Sequence, residues 1–152
     1  MNPHQPDAPT QLAEDTDWAG DELREECGVF GIFGHEDATT LVALGLQALQ
    51  HRGQEAAGIV SSDGKQFYAE RRMGLVSDSF TKPSVMKRLA GNSAIGHVRY
   101  STTGETVLRN VQPLFADLAG GGFALAHNGN LTNALTLRKQ LEKSGAIFQS
   151  TS

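Results

Sequence analysis

Apolar residues keep no period over the first 26 positions. Leu12, Trp18 and Leu23 stand isolated among acids, and Pro3, Pro6 and Pro9 punctuate the start. This pattern predicts a disordered, solvated segment. At Cys27 the character changes. Cys27-Gly-Val-Phe-Gly-Ile-Phe-Gly34 is short, apolar and glycine-rich, which predicts a buried strand over Val29 to Phe33 that Gly34 ends. Apolar residues at 38, 41, 42, 44, 46, 48 and 49 predict a largely buried helix from Asp37, a plausible N-cap, to Gln50. Gly45 is a weak spot within it. His51 to Glu55 reads as a loop.

Ala57 to Ser61 predicts a strand, Asp63-Gly64 a turn, and Gln66 to Glu70 the hairpin partner. Lys82 to Leu89 predicts a short helix. Ala94 to Tyr100 alternates and predicts a strand that runs into the polar loop Ser101-Thr-Thr-Gly104. Gly120 to Gly122 turns into a strand over Phe123 to Ala126, and His127 to Asn130 forms a tight turn. Thr132 or Asn133 caps a helix to about Lys143, which Ser144-Gly145 ends. Ala146 to Gln149 opens a further strand. Successive strands joined by hairpins and flanked by two main helices predict a layered α+β fold rather than a doubly wound sheet.

Charge sharpens the boundary at Cys27. Residues 1–26 hold eight acids against Arg24 alone, a net of −7, whereas residues 27–152 carry a net of +3. The body is too mixed in sign to predict nucleic-acid binding. No apolar run reaches the roughly 18 residues of a membrane span. The N-terminus lacks the basic and apolar regions of a secretory signal, so a cytoplasmic location is expected. Cys27 is the only cysteine. It makes no internal disulfide, and no Cys/His cluster has zinc spacing. It is either a small buried apolar residue or a reactive thiolate.

Four segments concentrate the unusual polar residues: Cys27, His51 to Gln54, His97 to Gly104, and His127 to Asn130. Arg52 and Arg99 each offer a fork of donors suited to a substrate carboxylate. Arg52 also reads as a cation at a helix C-terminus, and Arg99 as a solvated residue of an edge strand. Asn128-Gly129 is either a type I′ hairpin turn or an oxyanion hole, built from a side-chain amide and a glycine N–H. His51, His97 and His127 read as structural residues or as partners of Cys27; their spacing offers no metal site.

Five runs, in order, resemble the class II glutamine amidotransferases, and most closely the amidophosphoribosyltransferase branch that serves purine synthesis. They are Cys27-Gly-Val-Phe-Gly-Ile, His51-Arg-Gly-Gln-Glu-Ala-Ala-Gly-Ile59, Gly96-His-Val-Arg-Tyr-Ser-Thr-Thr-Gly104, Gln112-Pro-Leu, and His127-Asn-Gly-Asn-Leu-Thr-Asn133. The resemblance covers essentially all of residues 27–152. It implies a four-layer αββα sandwich of the N-terminal-nucleophile hydrolase type with antiparallel sheets, incomplete at its C-terminal end.

The resemblance also implies a chemistry. Residues 1–26 would be an acidic propeptide, removed so that Cys27 acquires a free α-amino group to serve as base. Cys27 would attack L-glutamine and form a thioester. Asn128 and Gly129 would hold the oxyanion. Arg99, Tyr100, Thr102 and Arg52 would bind the glutamine, with Arg52 near the nucleophile and helping to order the site. The ammonia would aminate phosphoribosyl pyrophosphate in a further domain beyond this chain. That part would bind Mg2+ and, in propeptide-bearing relatives, a 4Fe-4S cluster; no cofactor is expected in residues 1–152 themselves. The full-length form is expected to be a homo-oligomer, and these residues alone to be poorly folded or inactive, with unpaired sheet edges.

Other readings stay open: the glutaminase domain of a glucosamine-6-phosphate synthase, asparagine synthetase or glutamate synthase; another N-terminal-nucleophile hydrolase such as an amidase; or a non-catalytic module with this fold.

Overall fold

The computed structural model describes residues 27–100, 107–129 and 131–151. The acidic segment 1–26, expected to be a propeptide, lies outside them, as do residues 101–106 and Asn130.

The apolar run after Cys27 forms β1 (Gly28–Phe33), and the helical pattern forms α1 (Ala38–Ala48). Asp37 occupies the N-cap position of α1 without a side-chain capping bond. Next come a 3-10 turn (Gln50–Arg52), β2 (Ala56–Ser62) and β3 (Phe67–Met73). In the turn between β2 and β3, Asp63 Oδ1 accepts from the backbone N–H groups of Lys65 at 2.8 Å and Gln66 at 2.7 Å. Two single-turn helices follow, α2 (Val76–Ser79) and α3 (Pro83–Met86), and then β4 (Ser93–Arg99). A 3-10 turn (Leu108–Asn110) leads to β5 (Leu114–Leu118), β6 (Gly121–Leu125) and α4 (Ala134–Lys143).

Four strands pair antiparallel in the order β1-β4-β2-β3, and β5 pairs with β6 in a separate two-stranded sheet. Alternation along the strands sets the two faces of the larger sheet. Ala57, Ile59, Ala94 and Val98 point to one face and join Ala38, Val42, Ala43 and Leu46 of α1 in the main core. Gly45, expected to weaken α1, is instead the point of closest approach to the sheet. A Cβ placed there would lie 2.5 Å from the Phe30 ring. The opposite face carries His97 and Arg99, and over Gly58 it receives the chain between Asn110 and Gln112. The Phe67 and Phe115 rings, 5.6 Å apart, join the β5–β6 hairpin to the end of β3.

Several expectations are corrected. The helix foreseen over Lys82 to Leu89 is only one turn, because the N–H groups of Arg88 and Leu89 bond three residues back, to Val85 and Met86, and the α-helical ladder stops there. β3 runs on to Met73, since Arg71, Arg72 and Met73 pair with Gly58, Ala57 and Ala56. β5 was not foreseen. Ala146 to Gln149 is not a strand: Phe148 lies under the Arg138 guanidinium of α4, 4.1 Å from its ring centre. Finally, β6 leads to a helix and not to a returning strand, so Asn128-Gly129 is no hairpin turn.

Candidate active site

One end of the four-stranded sheet gathers four of the residues that the sequence singled out, Cys27, Arg52, Arg99 and Tyr100. β1 pairs with β4 from Gly28 opposite Val98, so Cys27 stands at the end of β4. Its sulfur lies 3.4 Å from the Tyr100 carbonyl oxygen and accepts from the Tyr100 backbone N–H, also at 3.4 Å. The thiol is half-buried. It is therefore neither a core residue nor freely solvated, and the buried apolar reading of Cys27 fails.

Arg52 reaches the same point from the turn after α1. Its Nε donates to the Cys27 carbonyl oxygen at 2.7 Å. The turn is fixed from two sides: the Gln50 side-chain amide donates to the Gly53 carbonyl, and its Oε1 accepts from the Val76 N–H at 2.7 Å. Gly53 lies against the β4 backbone, where an added Cβ would meet the Arg99 nitrogen at 2.8 Å. The Glu55 N–H then donates to the Arg99 carbonyl oxygen at 3.2 Å. Local sequence thus delivers Arg52 to Cys27 through a glycine that permits backbone-to-backbone contact.

Arg99 sits at the end of a strand paired on both sides and is only 4% exposed, which excludes the solvated edge-strand reading. Its Nη1 donates to the Asn110 carbonyl oxygen at 3.1 Å. A buried guanidinium brings a fixed positive charge to this end of the sheet. His97, two residues earlier on the same face, is fully buried. Desolvation, and then the charge of Arg99, lower its pKa to about 4, with the His127 backbone acting in the opposite sense. It is a neutral imidazole at physiological pH. His51 is exposed, its Nδ1 3.1 Å from the Ala48 carbonyl oxygen at the end of α1, a structural position.

Cys27, Arg52, Arg99 and Tyr100 are thus brought together. Asn128 and Gly129 follow β6 and are exposed, with open space around Gly129. Among the described residues neither makes a hydrogen bond to Cys27. Thr102 lies outside the described residues. Sequence reasoning gave no task to Asn110 or to the Gln112 side chain, although both are buried amides. Their signal was faint: two amide residues flank Val111 just before a proline, in a stretch whose apolar spacing predicts no element.

Among the described residues, no group of three His, Cys, Asp or Glu could hold a metal ion. With one cysteine, these residues do not fit a four-cysteine iron–sulfur cluster. No described helix is long and apolar enough to cross a membrane.

The family model for class II glutamine amidotransferases matches residues 27–146. The chain belongs to the class II glutamine amidotransferases. The match begins at Cys27, the residue around which the site is assembled. Among curated relatives of this family, the amidophosphoribosyltransferase of Rhizobium etli is 69% identical over 133 residues, covering 88% of this chain and 27% of the relative. That of Lacticaseibacillus casei is 54% identical, covering 86% of this chain and 67% of the relative.

Among solved structures, the glutamine phosphoribosylpyrophosphate amidotransferase from B. subtilis, complexed with ADP and GMP, superposes with a TM-score of 0.74. It is 49% identical, covering 82% of this chain and 26% of that chain. A structure described as the allosteric regulatory enzyme of purine biosynthesis superposes with a TM-score of 0.75 at 50% identity, covering 80% of this chain and 26% of its own. The chain therefore spans about a quarter of the length of the Rhizobium etli relative and of the two solved structures. The antiparallel, layered α+β arrangement agrees with the fold that the sequence led us to expect.

Proposed function

We propose that this chain carries the glutamine-hydrolysing end of an amidophosphoribosyltransferase, with Cys27 as nucleophile. One observation carries the reading: the Cys27 sulfur is fixed against the Tyr100 backbone, at the end of the strand that carries the buried cation Arg99, while Arg52 clamps the Cys27 carbonyl group. A thiol and a buried guanidinium carried at one end of the same sheet suit a substrate with both a carboxylate and an electrophilic amide carbon. In this reading Arg99 takes the α-carboxylate of L-glutamine, and Tyr100 and Thr102 shape the pocket.

The base is the α-amino group of Cys27 once residues 1–26 have been removed. An α-amine has a pKa near 8, close enough to neutrality for proton transfer. It takes the thiol proton as sulfur bonds to the glutamine side-chain carbon. The tetrahedral oxyanion rests on the Asn128 side-chain amide and the Gly129 N–H. The amine then returns the proton to the departing nitrogen, which leaves as ammonia. Water hydrolyses the glutamyl thioester to glutamate and restores the thiol.

Backbone geometry at Cys27 supports removal of the leader. Its φ is 56°, in the left-handed region. That conformation costs a non-glycine residue roughly 1–2 kcal/mol. Cleavage before Cys27 abolishes this torsion and releases the strain.

The names of the relatives support phosphoribosyl pyrophosphate as the acceptor of the ammonia, in the part of their length that this chain does not span. The reading is tested by measuring ammonia release from L-glutamine by protein whose N-terminus is Cys27. Activity that Cys27→Ser abolishes supports it; activity that survives Cys27→Ser refutes it.

A further inference from the structure

Two buried amides lie between the anchor for the substrate carboxylate and the oxyanion-binding pair. Asn110 is fully buried and Gln112 is 5% exposed. They belong to a strap that crosses the sheet face opposite α1, so close above Gly58 that a Cβ there would collide with the Gln112 carbonyl oxygen. A buried amide must find partners to offset its desolvation, and these partners lie on both sides of the strap. The Asn110 carbonyl oxygen accepts from Arg99 Nη1 at 3.1 Å. The Asn110 side chain clasps Thr151, donating from Nδ2 to Oγ1 at 2.8 Å and accepting the Thr151 N–H on Oδ1 at 2.9 Å. Gln112 Oε1 accepts the backbone N–H of His127 at 2.7 Å, one residue before Asn128.

We propose that Gln112 is a positioning residue for the oxyanion hole, and that the Asn110–Gln112 strap fixes its distance from Arg99. The inference rests on the glutaminase reading above. Asn128 and Gly129 are exposed and Gly129 has open space around it, so packing alone does not set their position. The bond from His127 to Gln112 tethers the backbone immediately before them. The same three-residue strap ends on Arg99. It therefore links the carboxylate anchor to the backbone that leads into the oxyanion donors.

An oxyanion hole acts on the transition state, whereas Arg99 would bind ground state and transition state alike. Loss of the tether therefore lowers kcat rather than raising KM. Gln112→Met keeps the chain length but removes the acceptor, and kcat for glutamine hydrolysis should fall about 10- to 100-fold, the scale of a misplaced catalytic group. KM should change by less than about two-fold. Gln112→Glu keeps an acceptor oxygen whether or not it is ionised, and should hold kcat within about three-fold of the parent.

A second readout does not depend on activity. The His127 amide should exchange its hydrogen at least about ten-fold faster in Gln112→Met, while the amides of Ala94 to Val98 keep their rates. An active parent whose Gln112→Met variant keeps its kcat, or changes only KM, overturns the positioning role. Unchanged exchange at His127 overturns the tether. Should Gln112→Met not fold, a ten-fold loss of kcat in folded Gln112→Glu overturns the proposal, and a preserved kcat supports it. An inactive parent sinks the glutaminase reading instead, and His127 exchange still judges the tether.

Discussion

Arg52 donates from Nε to the carbonyl oxygen of Cys27 at 2.7 Å. The arginine thus holds the backbone of the proposed nucleophile, and in the proposed reading the substrate carboxylate falls to Arg99. A charge-assisted bond of this kind contributes about 1.5–3 kcal/mol. Arg52→Ala should lower kcat for glutamine hydrolysis by roughly 10- to 100-fold and slow alkylation of Cys27 in parallel. Steady-state kinetics with a thiol-labelling time course checks both.

Arg99 should behave differently. As the proposed buried partner of a substrate carboxylate it would contribute to binding before chemistry begins. Arg99→Gln is expected to raise KM for glutamine by about 10- to 100-fold, with a smaller effect on kcat. A KM unchanged in a folded variant would show that another group takes the carboxylate.

The pH response should come from His97. Burial, and then the charge of Arg99, set its pKa at about 4 in the folded chain, against about 6.5 when unfolded. Between these values the unfolded state binds more protons, so stability rises with pH. The contribution is complete above about pH 6.5 and is lost as pH falls towards 4, amounting to about 3 kcal/mol at most. Denaturant titrations from pH 7.5 to 4 should show this slope, and His97→Gln should flatten it.

How far the sequence alone could be read depended on how local each signal was. β1, α1, β2 and α4 carry their period within their own residues, and they formed where expected. β5 was missed because Leu114 to Leu118 is five residues long, mostly half-buried or exposed, and its partner β6 starts with glycines. Its pairing is a tertiary fact with no local period. The site followed the same rule. Cys27, Arg52, Arg99, Asn128 and Gly129 were marked by residue type and by resemblance. The contacts of Arg52 with Cys27 and of Gln112 with His127 span 25 and 15 residues, and no local spacing encodes them. Gly45 read as a helix defect because propensity is a local quantity, whereas its use is to admit the Phe30 ring.

Close backbone contact at Gly53 gives a further test. A methyl group there would lie 2.7 Å from the Arg99 carbonyl carbon, and main chain cannot step aside as a side-chain tip can. Gly53→Ala should destabilise the fold by about 1–3 kcal/mol. It should also reduce activity beyond that loss, because the displaced turn carries Arg52. Denaturation midpoints and residual kcat of the folded fraction measure the two effects separately.

The central claim is that Cys27 is a nucleophile unmasked by a cut before it. A glutamine-mimicking diazoketone, followed by peptide mapping, tests this most directly. Protein beginning at Cys27 should take up one equivalent on Cys27, with protection by L-glutamine, while protein retaining residues 1–26 should stay unlabelled. Equal labelling of both forms, or none on Cys27 in protein that hydrolyses glutamine, would contradict the account.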